Sequence, residues 1–308
     1  MDLISSMLRM MPDAVAQGLI WGIMALGVYI TYKVLDYSDL TVDGSICTGG
    51  AVAALLILNG VPMAVAILAA FVAGALAGLI TALLHTKMGI PPILSGILTQ
   101  LALYSINLRI MGKAMLAVSV DKFPLLVSVR DQGASCLVGA AFVVVIIALL
   151  YWFFGTELGC AIRATGANPN MSRAQGINDN TMKLFGLVLG NGLVGISGAL
   201  YTQYLGSVTV NMGRGAIVIG LAAVIIGDVL FGKIFRNFSL KLLSVVLGAI
   251  IYYMVTAFVI QLGLNTDDLK LFSAAFVTVA LFLPYWKDRH HKEKHRKKMM
   301  QEGGKADA

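Results

Sequence analysis

An all-α polytopic membrane protein is the fold class that this sequence predicts, and three observations predict it. Of its 308 residues, 58% are hydrophobic and only 13% are charged, against roughly a quarter charged in an average soluble domain. The mean hydropathy is +0.84. Apolar runs of the roughly 20 residues that a helix needs to cross the hydrocarbon core recur along the chain, separated by polar breaks. Glycine is abundant (33) and proline scarce (7), a balance that suits helices packed through close backbone approach.

Residues 1–13 are mixed and carry no cleavable signal pattern, so the first apolar run, 14–34, is expected to remain as a span. A polar patch follows (Asp36, Ser38, Asp39, Thr41, Asp43, Gly44, Ser45), and then an apolar run over 47–58 that is short for a straight crossing. This region reads as a broken or re-entrant helix, since irregular backbone at membrane depth survives only where protein or a watery cavity covers it. Residues 61–84 span, with Gly74 and Gly78 at the spacing of a close helix contact. After the break at Lys87–Pro92, residues 93–110 span and carry Gln100, Tyr104 and Asn107. The connection 112–133, with Lys113, Asp121, Lys122, Pro124, Arg130 and Asp131, reads as a loop with an amphipathic piece on the membrane surface.

Residues 134–154 span again and a long polar stretch, 155–182, follows. The next spans are 183–205, with Asn191 near its middle, a short run over 216–231 closed by Gly232-Lys233-Ile234-Phe235-Arg236-Asn237, then 240–262 and 271–285. The count is eight or nine transmembrane segments. The domain division is a membrane domain over 1–286 and a basic tail over 287–308. In that tail Lys287, Arg289, Lys292, Lys294, Arg296, Lys297 and Lys298 crowd behind Trp286 and account for much of the net charge of +7. With no soluble fold around it, the run reads as a cytoplasmic flank against anionic lipid headgroups, not as a nucleic-acid site. Basic residues put the polar stretch, Lys233/Arg236, Lys87 and the tail on the cytoplasmic side.

Catalytic, metal and cofactor sites find no support. There is no GxxxxGK[ST] phosphate loop, no GxSxG elbow and no carboxylate pair suited to hydrolysis. His85, His290, His291 and His295 form no ligand set, and Cys47, Cys136 and Cys160 form no paired motif. The candidates for a solute path are the polar residues at membrane depth: Asp39, Thr41, Asp43, Gln100, Tyr104, Asn107 and Asn191. Two bland readings stand beside that one. The aspartates sit in an interfacial turn with Thr41 or Ser45 capping the next helix, and the amides and the tyrosine make interhelical hydrogen bonds.

The polar stretch is the most distinctive segment. Glu157-Leu158-Gly159-Cys160-Ala161-Ile162-Arg163-Ala164-Thr165-Gly166 predicts a short helix, Asn168-Pro169 stops it, and a second short helix ends at Gly176-Ile177. A helix–break–helix on a membrane surface has the shape of a docking element.

These residues resemble the permease subunits of ATP-binding-cassette importers, in the branch serving branched-chain amino acids, ribose and related solutes. The family pattern G-x-A-x-R-A-x-G-x-N-x-x-A-A-x-x-x-G-I is met by Gly159, Ala161, Arg163, Ala164, Gly166, Asn168, Gly176 and Ile177, with Met171 and Ser172 where the family often has alanines. The segments from Gly18 to Val28, Leu40 to Gly44 and His85 to Thr99 resemble the subgroup paired with tryptophan/tyrosine-type binding proteins. The resemblance implies a type II-like importer permease that forms the pathway for a small amino-acid-like solute, aromatic ones first. It implies a homodimer, two ATPase subunits that bind ATP and Mg, a periplasmic or lipoprotein solute-binding protein, and a place in the bacterial cytoplasmic membrane. It implies that Glu157, Gly159, Ala161, Arg163, Ala164, Thr165, Gly166, Asn168, Pro169, Gly176 and Ile177 couple to the ATPase, with Gly159 and Gly166 permitting close backbone approach. A secondary transporter with no ATPase is the alternative that the residues alone leave open.

Overall fold

The computed structural model describes residues 3–119, 123, 125–235, 237–263, 268, 271–275, 277–279 and 282. The basic tail, the three tail histidines, Asp121, Lys122, Pro124 and Arg236 lie outside the described residues, as does much of the predicted 271–285 span. The chain divides into two units, Met1–Gly263 and Leu264–Ala308. In the second unit the described residues 271–275 and 277–279 are helical.

The first unit is built from helices α1 (Leu3–Val28), α2 (Val42–Leu58), α3 (Met63–Thr86), α4 (Pro92–Met111), α5 (Gln132–Gly155), α6 (Glu157–Ala167), α7 (Pro169–Ala174), α8 (Asp179–Leu205), α9 (Ala216–Phe231) and α10 (Phe238–Gln261). Among the described residues, six helices are long and apolar enough to cross a membrane: α1 with its π-helical extension Tyr29–Val34, then α3, α4, α5, α8 and α10. The apolar helices α2 and α9 are shorter.

Local chemistry sets the boundaries. Proline opens α4 at its first turn and precedes α3, where a missing N–H costs nothing. Asp131, Thr156, Asn168 and Asn178 accept backbone N–H bonds at the starts of α5, α6, α7 and α8. Gly112 and Gly206 end α4 and α8 in the left-handed region.

The helices with the most enclosed spans are α1 and α8. Lipid tails are as apolar as leucine, so helices in a membrane associate through tight packing and not through hydrophobic transfer. The sequence supplies that packing with glycine. A Cβ at Gly74 would strike the Asn191 carbonyl, one at Gly78 the Leu187 carbonyl, and one at Gly195 the Ala70 carbonyl, so α3 and α8 meet backbone to backbone. Gly49 of α2 meets Gly195 in the same way. The predicted role of Gly74 and Gly78 thus has its partner in α8.

Two expectations are corrected. The 112–133 connection shows no amphipathic helix among its described residues. Instead β1 (Met115–Ala117) pairs antiparallel with β2 (Ser207–Thr209), Leu116 opposite Val208, because both segments have free backbone groups just beyond the ends of α4 and α8. The break in the first third of the chain also lies earlier than expected. Val42–Leu58 is one continuous helix that takes in Asp43, Gly44 and Ser45, and the irregular backbone is confined to residues 35–41 after the π-helical turn. That backbone is stabilised by side chains: the Thr41 N–H donates to Asp39 Oδ1 at 2.9 Å. Thr41 stands at the helix start without capping it through its side chain. Its hydroxyl is 2.7 Å from Thr81 Oγ1 instead.

Candidate functional site: a groove beside α2 and α4 and a polar two-helix segment

Asn191 is the centre of a buried polar node. Its Nδ2 donates to Asp39 Oδ2 at 2.6 Å and to the Leu187 carbonyl at 3.1 Å, and its Oδ1 accepts from Ser45 Oγ at 2.6 Å. Thr41, Thr81 and Thr99 continue the network: Thr81 Oγ1 donates to Thr99 Oγ1 at 2.9 Å. All of these side chains are buried, and each accepts or donates within the chain. The structure therefore groups Asp39, Thr41 and Asn191 as a mutually satisfied core that ties α2, α3, α4 and α8 together. Ser45 of the predicted polar patch belongs to the same node, as do Thr81 and Thr99, which the sequence marks only as small hydroxyls among apolar neighbours.

Asp43 does something else. Its carboxylate accepts from the Gly215 N–H at 3.0 Å and the Ile217 N–H at 2.8 Å, so it caps α9 from a distance of many residues. Two of the orphan donors at that helix start are met by the carboxyl oxygens of Asp43, an acceptor pair that also suits the positive end of the helix dipole.

Beside this cap a groove of about 340 Å³ opens between α2, α4 and the segment that leads into α9. It is lined by Asp43, Cys47, Gln100, Leu101, Tyr104, Asn107 and Arg214, among others. The structure thus brings together Asp43, Gln100, Tyr104 and Asn107 of the predicted path residues and leaves Asp39, Thr41 and Asn191 off the groove. Asn107 is buried, and its Oδ1 has no hydrogen-bond partner among the described residues. Arg214 was not foreseen. Its only mark in the sequence is a single cation between Gly213 and Gly215, directly before an apolar run.

The polar stretch folds as anticipated into two short helices, α6 and α7. The Asn168 side chain accepts from the Met171 N–H at 3.1 Å, and Pro169 takes the first position of α7. Thr165 Oγ1 is 3.1 Å from Ser172 Oγ, and both residues are buried, which locks the two helices together. Gly176 ends the pair with φ +80°. Glu157, Asn168 and Pro169 are exposed, and Ala161, Ala164 and Ile177 are half-buried. Leu158 and Met171 are exposed apolar side chains on the same segment.

Gly159 and Gly166 face inward. A Cβ at Gly166 would strike the Val34 carbonyl, and one at Gly159 would strike the backbone of Phe153 and Phe154. Their close approach is therefore to the chain's own α1 extension and α5 end, and it clamps α6 to the membrane helices. Arg163 is exposed yet lies over the Phe238 ring, 5.5 Å from its centroid, and donates from Nη2 to Cys160 Sγ at 3.3 Å. It bridges α6 and the first turn of α10, within the range of a cation–π contact. Nearby, Arg173 Nη2 pairs with Asp179 Oδ2 at 2.6 Å.

Comparison with known proteins supplies the lineage. The model of the family described as "Branched-chain amino acid transport system / permease component" matches residues 10–283. The "Tyrosine transport system permease protein" of Clostridioides difficile (strain R20291) is 40% identical over 269 residues, covering 87% of this chain and 89% of that one. An uncharacterized protein of Rickettsia prowazekii (strain Madrid E), RP368, is 31% identical over 87% of this chain and 95% of its own. The fructose import permease protein FruF of Bifidobacterium longum (strain NCC 2705) is 27% identical over 78% of this chain and 68% of its own. In fold, the chain is similar to PsaBC from Streptococcus pneumoniae in complex with Fab, with a TM-score of 0.52 at 18% identity over 90% of this chain and 95% of that one. A multi-pass helical membrane unit, a capped polar segment of two short helices and a family match over most of its length lead to one conclusion: the chain belongs to the permease component family of branched-chain amino acid transport systems.

Proposed function

We propose that this chain is the membrane-spanning permease subunit of an ATP-binding-cassette importer in the bacterial plasma membrane. In this reading it forms, as a homodimer with a type II-like arrangement, the pathway for a small amino-acid-like solute, aromatic amino acids first. Two ATPase subunits dock on the α6–α7 segment and carry the ATP and Mg, and a separate binding protein delivers the solute. The observation that carries the reading is the α6–α7 segment itself, a stiff polar element backed by glycine onto the ends of α1 and α5 and pinned by Arg163 to α10. A push on its exposed face reaches three membrane helices at once, which suits rigid-body rocking between two access states. The tyrosine permease relative supports the choice of solute.

The test is a mild-detergent pull-down of the tagged chain from its host, followed by uptake of labelled L-tyrosine by cells with and without the gene. Recovery of an ATPase together with a solute-binding protein, and gene-dependent uptake, is the expected result. Uptake that persists with no ATPase recovered and after ATP depletion would move the protein to the secondary transporters.

A further inference from the structure

We propose that Arg214 holds the carboxylate of an α-amino acid in the groove between α2 and α4, while Asn107 Oδ1 accepts from the same molecule's ammonium group. The inference rests on the reading of this protein as an amino-acid permease and deepens it.

Depth is the first argument. Gly215, next to Arg214, donates to Asp43, and Asp43 lies two residues before Ser45, which bonds Asn191. Asn191 sits near the midpoint of α8, in the span Asp179–Leu205, and Gln100 and Tyr104 sit near the midpoint of α4 in Pro92–Met111. The groove is thus near half-height in the membrane helices. A cation there is costly against lipid, so it faces water, a partner charge or a solute.

The second argument is that the Arg214 guanidinium has no ion-pair partner among the described residues: no described carboxylate lies in ion-pair range of it. Asp43, the acid among the described residues that line the groove, already receives two backbone N–H groups of the α9 start. A guanidinium is a rigid fork of donors that fits a carboxylate in two parallel bonds.

The third argument is that Asn107 Oδ1 is a buried acceptor with no donor among the described residues, and an orphaned buried acceptor carries a real cost unless something supplies a proton. One fork of donors and one empty acceptor in a single groove match the two ends of a zwitterion. A neutral sugar has no use for the unpaired cation, and a phosphate dianion would want more than one. The volume of about 340 Å³ falls at the small end of the roughly 300–1,000 Å³ typical of small-molecule sites. Tyr104 and Leu101 add an aromatic and an apolar wall for a side chain.

The experiment uses the complete transporter in proteoliposomes, with import of labelled L-tyrosine and of a mixture of the twenty amino acids. In R214Q, import is expected to fall about tenfold or more, the scale of losing hydrogen bonds to a charged group. R214K retains part of it. ATPase stimulation by the loaded binding protein and the dimer mass by light scattering stay at wild-type values. R214Q importing as wild type overturns the assignment, and so does R214Q that loses the dimer, since Arg214 would then pair with the second copy. A second measurement leaves Arg214 untouched. A cysteine at the exposed groove position Leu101 (L101C) is labelled with a thiol reagent, and protection is expected from millimolar L-tyrosine but not from 4-hydroxyphenethylamine, which lacks the carboxylate. Equal protection by both, or by neither, overturns the proposal. A wild-type complex that imports no amino acid sinks the amino-acid reading itself, whereas normal wild-type import with an indifferent R214Q sinks only the role of Arg214.

Discussion

Asn191 of α8 donates a 2.6 Å hydrogen bond to Asp39 in the connector between α1 and α2, and the two residues are 152 positions apart in the chain. That bond anchors the irregular backbone of residues 35–41, which the membrane helices enclose. The connector has Asp36 in the left-handed region, with φ 54°, a conformation that aspartate tolerates better than most residues. Asp39 holds the next turn by accepting from the Thr41 N–H.

Replacing Asn191 with leucine removes the donor to Asp39 and the acceptor for Ser45 together. The buried Asp39 carboxyl then keeps only its bonds to Thr41, from the backbone N–H and the side chain. The expected loss is about 2 kcal/mol or more, visible as a lower melting temperature in detergent by intrinsic tryptophan fluorescence and as a lower membrane yield. An Asn191→Leu protein that melts with the wild type but transports poorly would return this residue to the solute path.

Gly74→Val tests the backbone contact between α3 and α8. The added Cβ meets the Asn191 carbonyl, which belongs to both helix and node and has no room to yield. Overpacking of this kind costs about 1–3 kcal/mol. Gly133→Ala is the control, because a Cβ there meets nothing within 4 Å. Equal melting of the two variants would contradict the packing described above.

Asp43→Ala removes the cap of α9. A lost N-cap costs about 0.5–2 kcal/mol, and the effect is local. Hydrogen exchange at Gly215 and Ile217 should quicken, while amides in the middle of α3 keep their protection. Asp43→Asn, which retains an acceptor, should fall between the two. Unchanged exchange at Gly215 in the alanine variant would mean that the cap is dispensable.

Arg163→Glu acts on the α6–α7 segment. It removes the contact over Phe238 and puts a negative charge where a cation stood. Under the proposed function, uptake should drop at least about tenfold, with the melting temperature lowered by no more than the loss of one exposed cation–π contact of about 0.5–1 kcal/mol. Phe238→Leu with Arg163 intact keeps an apolar side chain against Tyr29 and Phe154 while removing the ring under Arg163, and so separates the two effects. If the arginine acts by bracing α6 on α10, this variant also impairs uptake. If it acts only on the partner, Phe238→Leu transports normally.

Most of the helices were legible in the sequence. The runs over 61–84, 93–110, 134–154, 183–205 and 240–262 each fall within a couple of residues of an observed helix, except that α8 begins earlier, at Asp179. Hydropathy records which segments leave water, and proline, glycine and capping residues record where they stop. The break at Asn168-Pro169 was legible for the same reason, since it needs only local chemistry. The β1–β2 pair was not, because three-residue strands carry no periodicity and depend on two chain ends that meet only in the fold. The break before α2 was placed too late, because Asp43, Gly44 and Ser45 look like a turn until Asp43 is seen to serve the start of another helix.

The sequence by itself therefore determined a membrane-embedded helical chain, the order of its spans, its glycine-lined contacts and the polar two-helix segment, all of which depend on residues near one another. Only the tertiary structure decided which polar residues satisfy one another and which remain unpaired. Asp39 and Asn191 close a network and Asp43 caps α9, whereas Asn107 Oδ1 has no hydrogen-bond partner and the Arg214 guanidinium no ion-pair partner among the described residues. The physical reason is that a hydrogen bond needs its two atoms within about 3 Å. Whether two polar groups on different helices achieve that depends on the rotation and offset of helices in contact, which no run of adjacent residues encodes.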